Sequence, residues 1–509
     1  MILENGLVRT MDAQVPTQRA LAVAGARIAG GIGTHETALA SPDVVDLGGR
    51  VVLPGLSDAH VHFPTWSLTR KQVSLDGCSS LEEAVARIGA VARDGGAIFR
   101  GHGWRSGDWE DAVEPTKERL DEVTGDRPAA MVSKDHHSLW LNSAALTLAG
   151  GNLDAEGGVV ERDEDGEPTG VLRETSAWQF AERHLSVDDA EYVAAMRDGI
   201  RVAHERGVTA IHDKDGALGA LRLWQQLEEA GSLTLRVWQS VPHEQVGELG
   251  SLGIRSGFGS EMLRVGYLKV FMDGTLGSQT AWRLDGTGVE ITSGKRLAEI
   301  VGAAAEAGLP VAVHAIGDRA NREALDAFER TRPLWAPLGL RQRIEHAQLL
   351  APDDLPRFAT LGVAASVQFS HAPSDRDLAD RLWADDIEGA YAYRSLIDSG
   401  AVVANGSDAP IEELDPLAGI RAGVRRTLDT REAWRPEQAV TVAQAFESTV
   451  LAPAWLTGEE RRRGKLLPGY AADLVVLDRD PWDDLDARVV ATMVAGRWVH
   501  NPPPWGPGV

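Results

Sequence analysis

Cysteine is almost absent: Cys78 is the single one in 509 residues, which excludes an internal disulfide and any thiolate metal cage. No motif around it activates the thiol, so it reads as a small buried side chain. Positive charge is scarce as well. With 51 Lys and Arg against 75 Asp and Glu, the formal charge is −24. Such a surface has no long-range attraction for phosphate backbones or anionic lipid, so neither nucleic acid nor membrane is expected as a partner. Long apolar runs are missing too: Gly, Pro or charge breaks each one before the about 20 residues that cross a bilayer. The opening Met1-Ile2-Leu3-Glu4-Asn5-Gly6-Leu7-Val8-Arg9 lacks a basic stretch followed by an apolar one. No signal peptide is expected, and the expected location is cytoplasmic.

What is present suits a large folded body. At 43% hydrophobic and 25% charged residues the chain can bury a substantial core, and its length exceeds that of one ordinary domain. Short apolar runs punctuated by Gly and Asp fill residues 1–53 and recur over 464–500, which predicts one composite β domain made from both ends. Between them, eight apolar runs read as buried parallel strands: Val52–His60, Val208–His212, Leu233–Ser240, Val265–Met272, Pro310–Ala315, Gln342–Ala347, Val363–Phe369 and Val402–Ser407. Helix-like segments rich in Ala, Leu and Glu separate them. This is the pattern of an α/β fold, a (β/α)8 TIM-type barrel over 54–70 and 202–463. The stretch 71–201 is too long for a βα loop and predicts an insertion between strands one and two, with strand-like pieces at Ala97–Arg100 and Ala129–Ser133. Its Trp104, Trp109 and Trp140 suit a core of its own or a lid over the barrel mouth.

Barrels of this kind carry their active sites at the C-terminal ends of the strands. There the first strand runs into His60-Val61-His62, whose side chains share one face about 6–7 Å apart and can hold one metal. Lys269, His314, His346 and Asp408 fall at the ends of strands four, five, six and eight. Taken singly, each has a bland explanation as an ion-pair partner, a core imidazole or a helix cap. Together they place six polar side chains in apolar strands, a costly arrangement unless they share a purpose. We read the set as a metal site. Glu345 and Asp318 stand beside the histidines and read as groups that orient the ligands, whereas His212 reads as a structural hydrogen bonder and His102, His243 and His371 are uncommitted.

The arrangement resembles the metal-dependent amidohydrolase superfamily, and further segments narrow the resemblance to its family 3, the branch similar to N-substituted formamide deformylase. These segments are Gly103-Trp104, Asp135-His136-His137-Ser138, Gly170-Val171-Leu172-Arg173-Glu174, Asp273-Gly274-Thr275-Leu276-Gly277-Ser278, His314-Ala315-Ile316-Gly317-Asp318, Arg343-Ile344-Glu345-His346 and Ser407-Asp408-Ala409-Pro410. The resemblance covers essentially the whole chain. It implies one or two Zn2+ ions held by His60, His62, Lys269, His314, His346 and Asp408, with other divalent first-row metals also fitting the ligand types. It also implies an N6-carboxylated Lys269, Asp408 as general base, and His137 as a second electrophile, with Trp104 and Glu174 at the substrate. The expected activity is hydrolysis of a non-peptide C–N bond, amide or formamide, in a small molecule. Ester or cyclic-amide hydrolysis, metal-dependent isomerisation and a catalytically silent barrel are the alternatives. The oligomeric state is left open by the sequence, a homodimer being the commonest outcome for soluble enzymes.

Overall fold

The computed structural model describes residues 1–29, 43–92, 98–110 and 112–505. Eight parallel strands form its centre: β1 (Leu56–Val61), β2 (Val208–Asp213), β3 (Arg236–Pro242), β4 (Leu263–Phe271), β5 (Val311–Ala315), β6 (Arg343–His346), β7 (Ala364–Val367) and β8 (Val403–Asn405). They pair in chain order. Nearly every residue in them is buried on both faces. That explains why they read as unbroken apolar runs and not as alternating ones. Helices such as Gly294–Ala307 and Asp318–Trp335 cover the outside through Leu297, Ile300, Val301, Leu325 and Phe328. The first of these is stopped sharply: Ser293 caps its start, and Gly308 takes the left-handed conformation (φ 72°) after its end.

The ring closes between β8 and β1 by a different device. Asp408 N–H donates to His60 O at 2.7 Å and His62 N–H to Ala409 O at 2.9 Å. Beneath them the buried Asp58 carboxylate accepts from the backbone N–H groups of Ser407 and His60, each at 3.0 Å. Burial pushes Asp58 up to about 7 despite these donors. The two strands approach so closely that a Cβ on Gly406 would stand 2.8 Å from His60 Cβ and 2.9 Å from Asp58 Oδ1.

Two further layers flank the barrel. The run expected as one strand over Val52–His60 divides at Gly55: Val51–Pro54 pairs with Leu7–Arg9 and Leu474–Leu477 in a six-stranded sheet built from both chain ends, and only Leu56–Val61 enters the barrel. The backbone changes partner there: Gly55 N–H donates to Asp473 O at 3.0 Å and Leu56 N–H to Gly207 O at 3.1 Å, and the lack of a side chain at Gly55 lets Thr209 of the neighbouring strand pack close. Arg236 at the start of β3 ties this sheet to the barrel through Asp473, at 2.7 and 3.0 Å. A second terminal sheet contains Ile2–Glu4, Leu21–Ala24, Arg27–Ile28 and Val44–Asp46.

Residues 73–174 build a separate six-stranded sheet. Its strand Phe99–Trp104 begins after Ala97, which lies outside the described residues. Trp104, Trp109 and Trp140 pack with Leu75, Leu81 and Met131 in the core of this layer. After the helix Thr175–His184, the helix Asp189–Glu205 returns to the barrel and sets Val193, Met196 and Ile200 against Phe63 and Trp66. No helix among the described residues is long and apolar enough to cross a membrane. The close seam yields a prediction: Gly406→Ala should destabilise the protein by about 1–3 kcal/mol through overpacking, read as a lowered urea midpoint, and an unchanged midpoint would refute the close approach.

Candidate functional site

Asp408 sits where the seam meets the barrel mouth, and its carboxylate gathers the imidazoles. Its Oδ1 lies 3.2 Å from His60 Nε2 and 3.6 Å from His62 Nε2, while Oδ2 lies 3.8 Å from His346 Nδ1 and 4.0 Å from His371 Nε2. The His346 ring is 4.8 Å from that of His60 and 4.5 Å from that of His314. Strand spacing thus brings His60, His62, His314, His346 and Asp408 to one rim, with His60 and His62 rings 5.6 Å apart. Asp408 and His346 both hold left-handed backbone conformations, φ 59° and 73°. Such conformations cost non-glycine residues ~1–3 kcal/mol each and persist where the surroundings demand them.

One nitrogen of each ring is tied by a hydrogen bond. His60 Nδ1 donates to Glu345 Oε2 at 2.7 Å, His62 Nδ1 to Asp215 Oδ1 at 2.7 Å, His346 Nδ1 to Gln368 Oε1 at 2.9 Å, and His314 Nε2 to the Gly274 carbonyl at 3.1 Å. A proton fixed on one nitrogen leaves a lone pair on the other, the arrangement of ligating histidines. Glu345 is able to play this part because Arg343 and Lys214 flank it at 2.7 and 3.1 Å. Burial opposes its charge, but Arg343 and His60 hold it well below the ordinary carboxylate range. Asp408 behaves alike: burial would raise it, and His60, His346 and His62 keep it well below its usual value. For His62, burial alone would lower the pKa, yet the Asp215 carboxylate reverses the sign and raises it.

Lys269 stands apart from these pairings. Its ammonium is buried, has no hydrogen-bond partner, and lies 4.7 Å from the centre of the Phe271 ring. Burial depresses its pKa, and Glu345 and Asp408 only partly offset the effect. His60 Nε2 is likewise buried without a hydrogen bond. Imidazoles with free lone pairs, a carboxylate and an orphaned amine around one point suit a divalent cation. The donor atoms of His60, His62 and Asp408 lie within 4.8 Å of one another, as do those of His346, His371 and Asp408.

These groups open into a cavity of about 720 Å³. Barrel residues Lys269, His314, His346 and Asp408 line its floor, and the segment 130–192 supplies much of the wall, including His136, His137 and Trp178. His137 Nδ1 bonds Glu174 Oε2 at 2.7 Å, and its ring lies 6.3 Å from that of His314. Burial would lower its pKa, but Glu174 and Asp135 raise it overall. Both imidazoles reach the cavity, but they differ in state. Burial and the neighbouring His102 and His62 depress His136 to about 4, so it is neutral at pH 7 and a poor holder of negative charge.

Three expectations need correction. Trp104 does not reach the cavity; its indole N–H donates to Met131 O at 2.8 Å inside the core of the 73–174 layer. The indole at the cavity is Trp178, whose ring packs 5.1 Å from His137. Glu174 also stays behind the wall, with one oxygen on His137 and the other accepting from Thr280 Oγ1 at 2.9 Å. It positions an imidazole and does not line the cavity. Asp318 orients no imidazole of the site; it accepts from Leu284 N–H at the start of its helix. His212 is structural, accepting from Arg343 at 3.0 Å. Sequence reasoning missed Asp215 and left His371 uncommitted. The polar triplet Asp213-Lys214-Asp215 directly after an apolar strand was a usable signal for the first.

The family model described as "Amidohydrolase family" matches residues 43–500. Protein LONG AFTER FAR-RED 3 of Arabidopsis thaliana is 30% identical over 98% of this chain and 91% of its own length. N-substituted formamide deformylase of Arthrobacter pascens is 28% identical over 95% of this chain and 94% of its own. Among solved structures, an uncharacterized metal-dependent hydrolase from Pyrococcus horikoshii OT3 superposes with a TM-score of 0.78 at 28% identity, covering 94% of this chain and 98% of that one. With a match spanning nearly its whole length and a barrel rim dressed with imidazoles and a carboxylate, the chain belongs to the amidohydrolase family.

Proposed function

We propose that this metal-dependent hydrolase cleaves a non-peptide C–N bond, an amide or formamide, in a small molecule. The observation that carries the reading is the Asp408 carboxylate held against the His60 and His62 lone pairs, beside an unpartnered buried lysine, on the floor of the cavity. Support for a C–N bond comes from the formamide deformylase among the relatives.

His60, His62, His314, His346 and Asp408 would hold one or two divalent cations, Zn2+ suiting their imidazole and carboxylate donors. Such a cation supplies an acidified water and polarisation of a carbonyl. Lys269 adds the remaining ligand. Burial lowers its pKa and so raises the share of the neutral amine, the form that would capture carbon dioxide, losing a proton, as an anionic carbamate with two donor oxygens.

The residues divide the proton work. Asp408, held ionised, accepts a proton from the attacking water and returns it to the departing nitrogen. Glu174 and Asp135 favour the protonated form of His137, in which Nε2–H would donate to the oxygen on which negative charge develops. Trp178 shields that charge from water on one side.

Three outcomes are expected. Zinc-loaded protein should hydrolyse members of an N-formyl and N-acyl amide panel, lose the activity on chelation and regain it with Zn2+; a metal-free active enzyme would sink the proposal. Asp408→Asn should lower kcat by about 10²–10⁴-fold and His137→Ala by about 10²–10³-fold with little change in KM, in steady-state assays on the amide that turns over. Growth or incubation with 13C-bicarbonate should give a carbamate carbon signal in the wild type that Lys269→Met lacks.

A further inference from the structure

Beyond the imidazole cluster the cavity runs on along the inserted layer, and its wall there is apolar. Ala130, Val132 and Leu139 of the sheet pack with Ala177, Ala181 and Leu185 of the helix Thr175–His184 and the residue after it, and all six line the cavity. They are alternate residues on the strand and residues one turn apart on the helix, so each element turns one face to the cavity. Two rulers give the length of this arm. Trp178 stands beside His137, and from there to Leu185 a helix rises ~10 Å at about 1.5 Å per residue. From Ser133, at the end of its strand, back to Ala130 an extended chain covers ~10 Å at about 3.3 Å per residue.

A cation waits at the far end. Arg100 is in register with Ala130, so its side chain leaves the sheet on the same face and lines the cavity. Three other cations of the wall are already neutralised: Arg105 by Asp375 at 2.8 Å, Lys134 by Glu412 at 3.3 Å and Arg222 by Asp189 at 2.7 Å. Arg100 has no ion pair among the described residues. Its guanidinium reaches the Ser186 carbonyl at 3.5 Å, the outer limit of a hydrogen bond. Glu191 acts on it only at a distance and is exposed to solvent, which screens the attraction. Tyr192 stands near Arg100 and lines the same arm. Burial pushes its phenol up to about 12, so at pH 7 the hydroxyl keeps its hydrogen, for which no acceptor is present among the described residues. A half-buried guanidinium without a counter-charge is a costly arrangement that an incoming anion relieves.

We propose that Arg100 and Tyr192 form a carboxylate subsite, so that the preferred substrates are amides with an extended apolar body ending in a carboxylate ~10 Å from the scissile carbonyl. This deepens the hydrolytic reading above, on which only the identity of the bond that is cut rests. An extended chain gains about 3.3–3.6 Å over the three bonds of a residue, so roughly eight or nine bonds separate the two ends of such a substrate. The guanidinium fork and the phenol offer the planar carboxylate three donors. One unpaired cation matches one negative charge, and Glu182, which borders the same arm, disfavours a dianion such as a phosphate monoester.

The test uses ketones, which have no C–N bond to cut: 9-oxodecanoate, with its carboxylate eight bonds from the ketone carbon, and 10-hydroxydecan-2-one, with a hydroxyl in its place. Both are titrated calorimetrically into the zinc-loaded full chain, with zinc content measured. The wild type should bind the acid about tenfold more tightly. Arg100→Met should erase that preference while binding the alcohol as before, Arg100→Lys should retain part of it, and Tyr192→Phe should weaken it about threefold. The short acid 4-oxopentanoate should show no dependence on Arg100. Equal binding of the long pair, or binding of neither, overturns the proposal. So does a preference for the acid that survives Arg100→Met, which would put the carboxylate on the metal, or an Arg100-dependent gain for the short acid. Hydrolysis of 7-formamidoheptanoate, followed separately, reports on the C–N reading: Arg100-dependent binding of the ketone without turnover of this amide would sink that reading and leave the carboxylate subsite standing.

Discussion

The site depends on one carboxylate that no solvent reaches. Glu345 lies inside the barrel between Arg343 and Lys214 and receives the Nδ1 proton of His60. A lone buried carboxylate would be ruinous, but two cations and a charge-assisted hydrogen bond compensate its desolvation. Arg343 extends the effect by donating to the Ala59 carbonyl and to His212, so β1, β2 and β6 are locked in register under the rim. The His60 lone pair thereby points at Asp408, and removal of Glu345 would free both the ring and its tautomer.

Above this fixed floor the cavity wall comes from the layer inserted after β1. Arg105 reaches Asp375 at 2.8 Å, Lys134 reaches Glu412 at 3.3 Å, and Asp135 accepts from Thr275 and Ser278 of the loop after β4. These contacts hold His137 near His314 while keeping it on a different structural body from the metal-type residues. The metal-type residues thus sit on the barrel and His137 on the inserted layer.

Backbone strain marks the same places. Asp408, His346, His136 and Glu174 all adopt positive φ, although none is glycine. In each case neighbouring hydrogen bonds outweigh the local cost, as where Asp408 N–H is pinned to His60 O. The strain accompanies the residues that must aim a side chain across the rim, which regular strand geometry would not achieve.

The sequence by itself determined the eight buried strands and the residues at their ends, because a strand covered on both faces must be continuously apolar and any polar residue in it stands out. His60, His62, Lys269, His314, His346 and Asp408 were legible for that reason, and Glu345 as their neighbour. Tertiary structure decided what periodicity cannot encode: the division of Val52–His60 at Gly55, the burial of Trp104, the withdrawal of Glu174 behind His137, and the arrival of Asp215 and His371 at the imidazole cluster. Each depends on contacts between residues dozens to hundreds of positions apart, such as Thr209 against Gly55 or Gln348 against His371. A side chain's local pattern states only that it is buried, whereas its partner, and so its proton and its role, is fixed when the barrel closes.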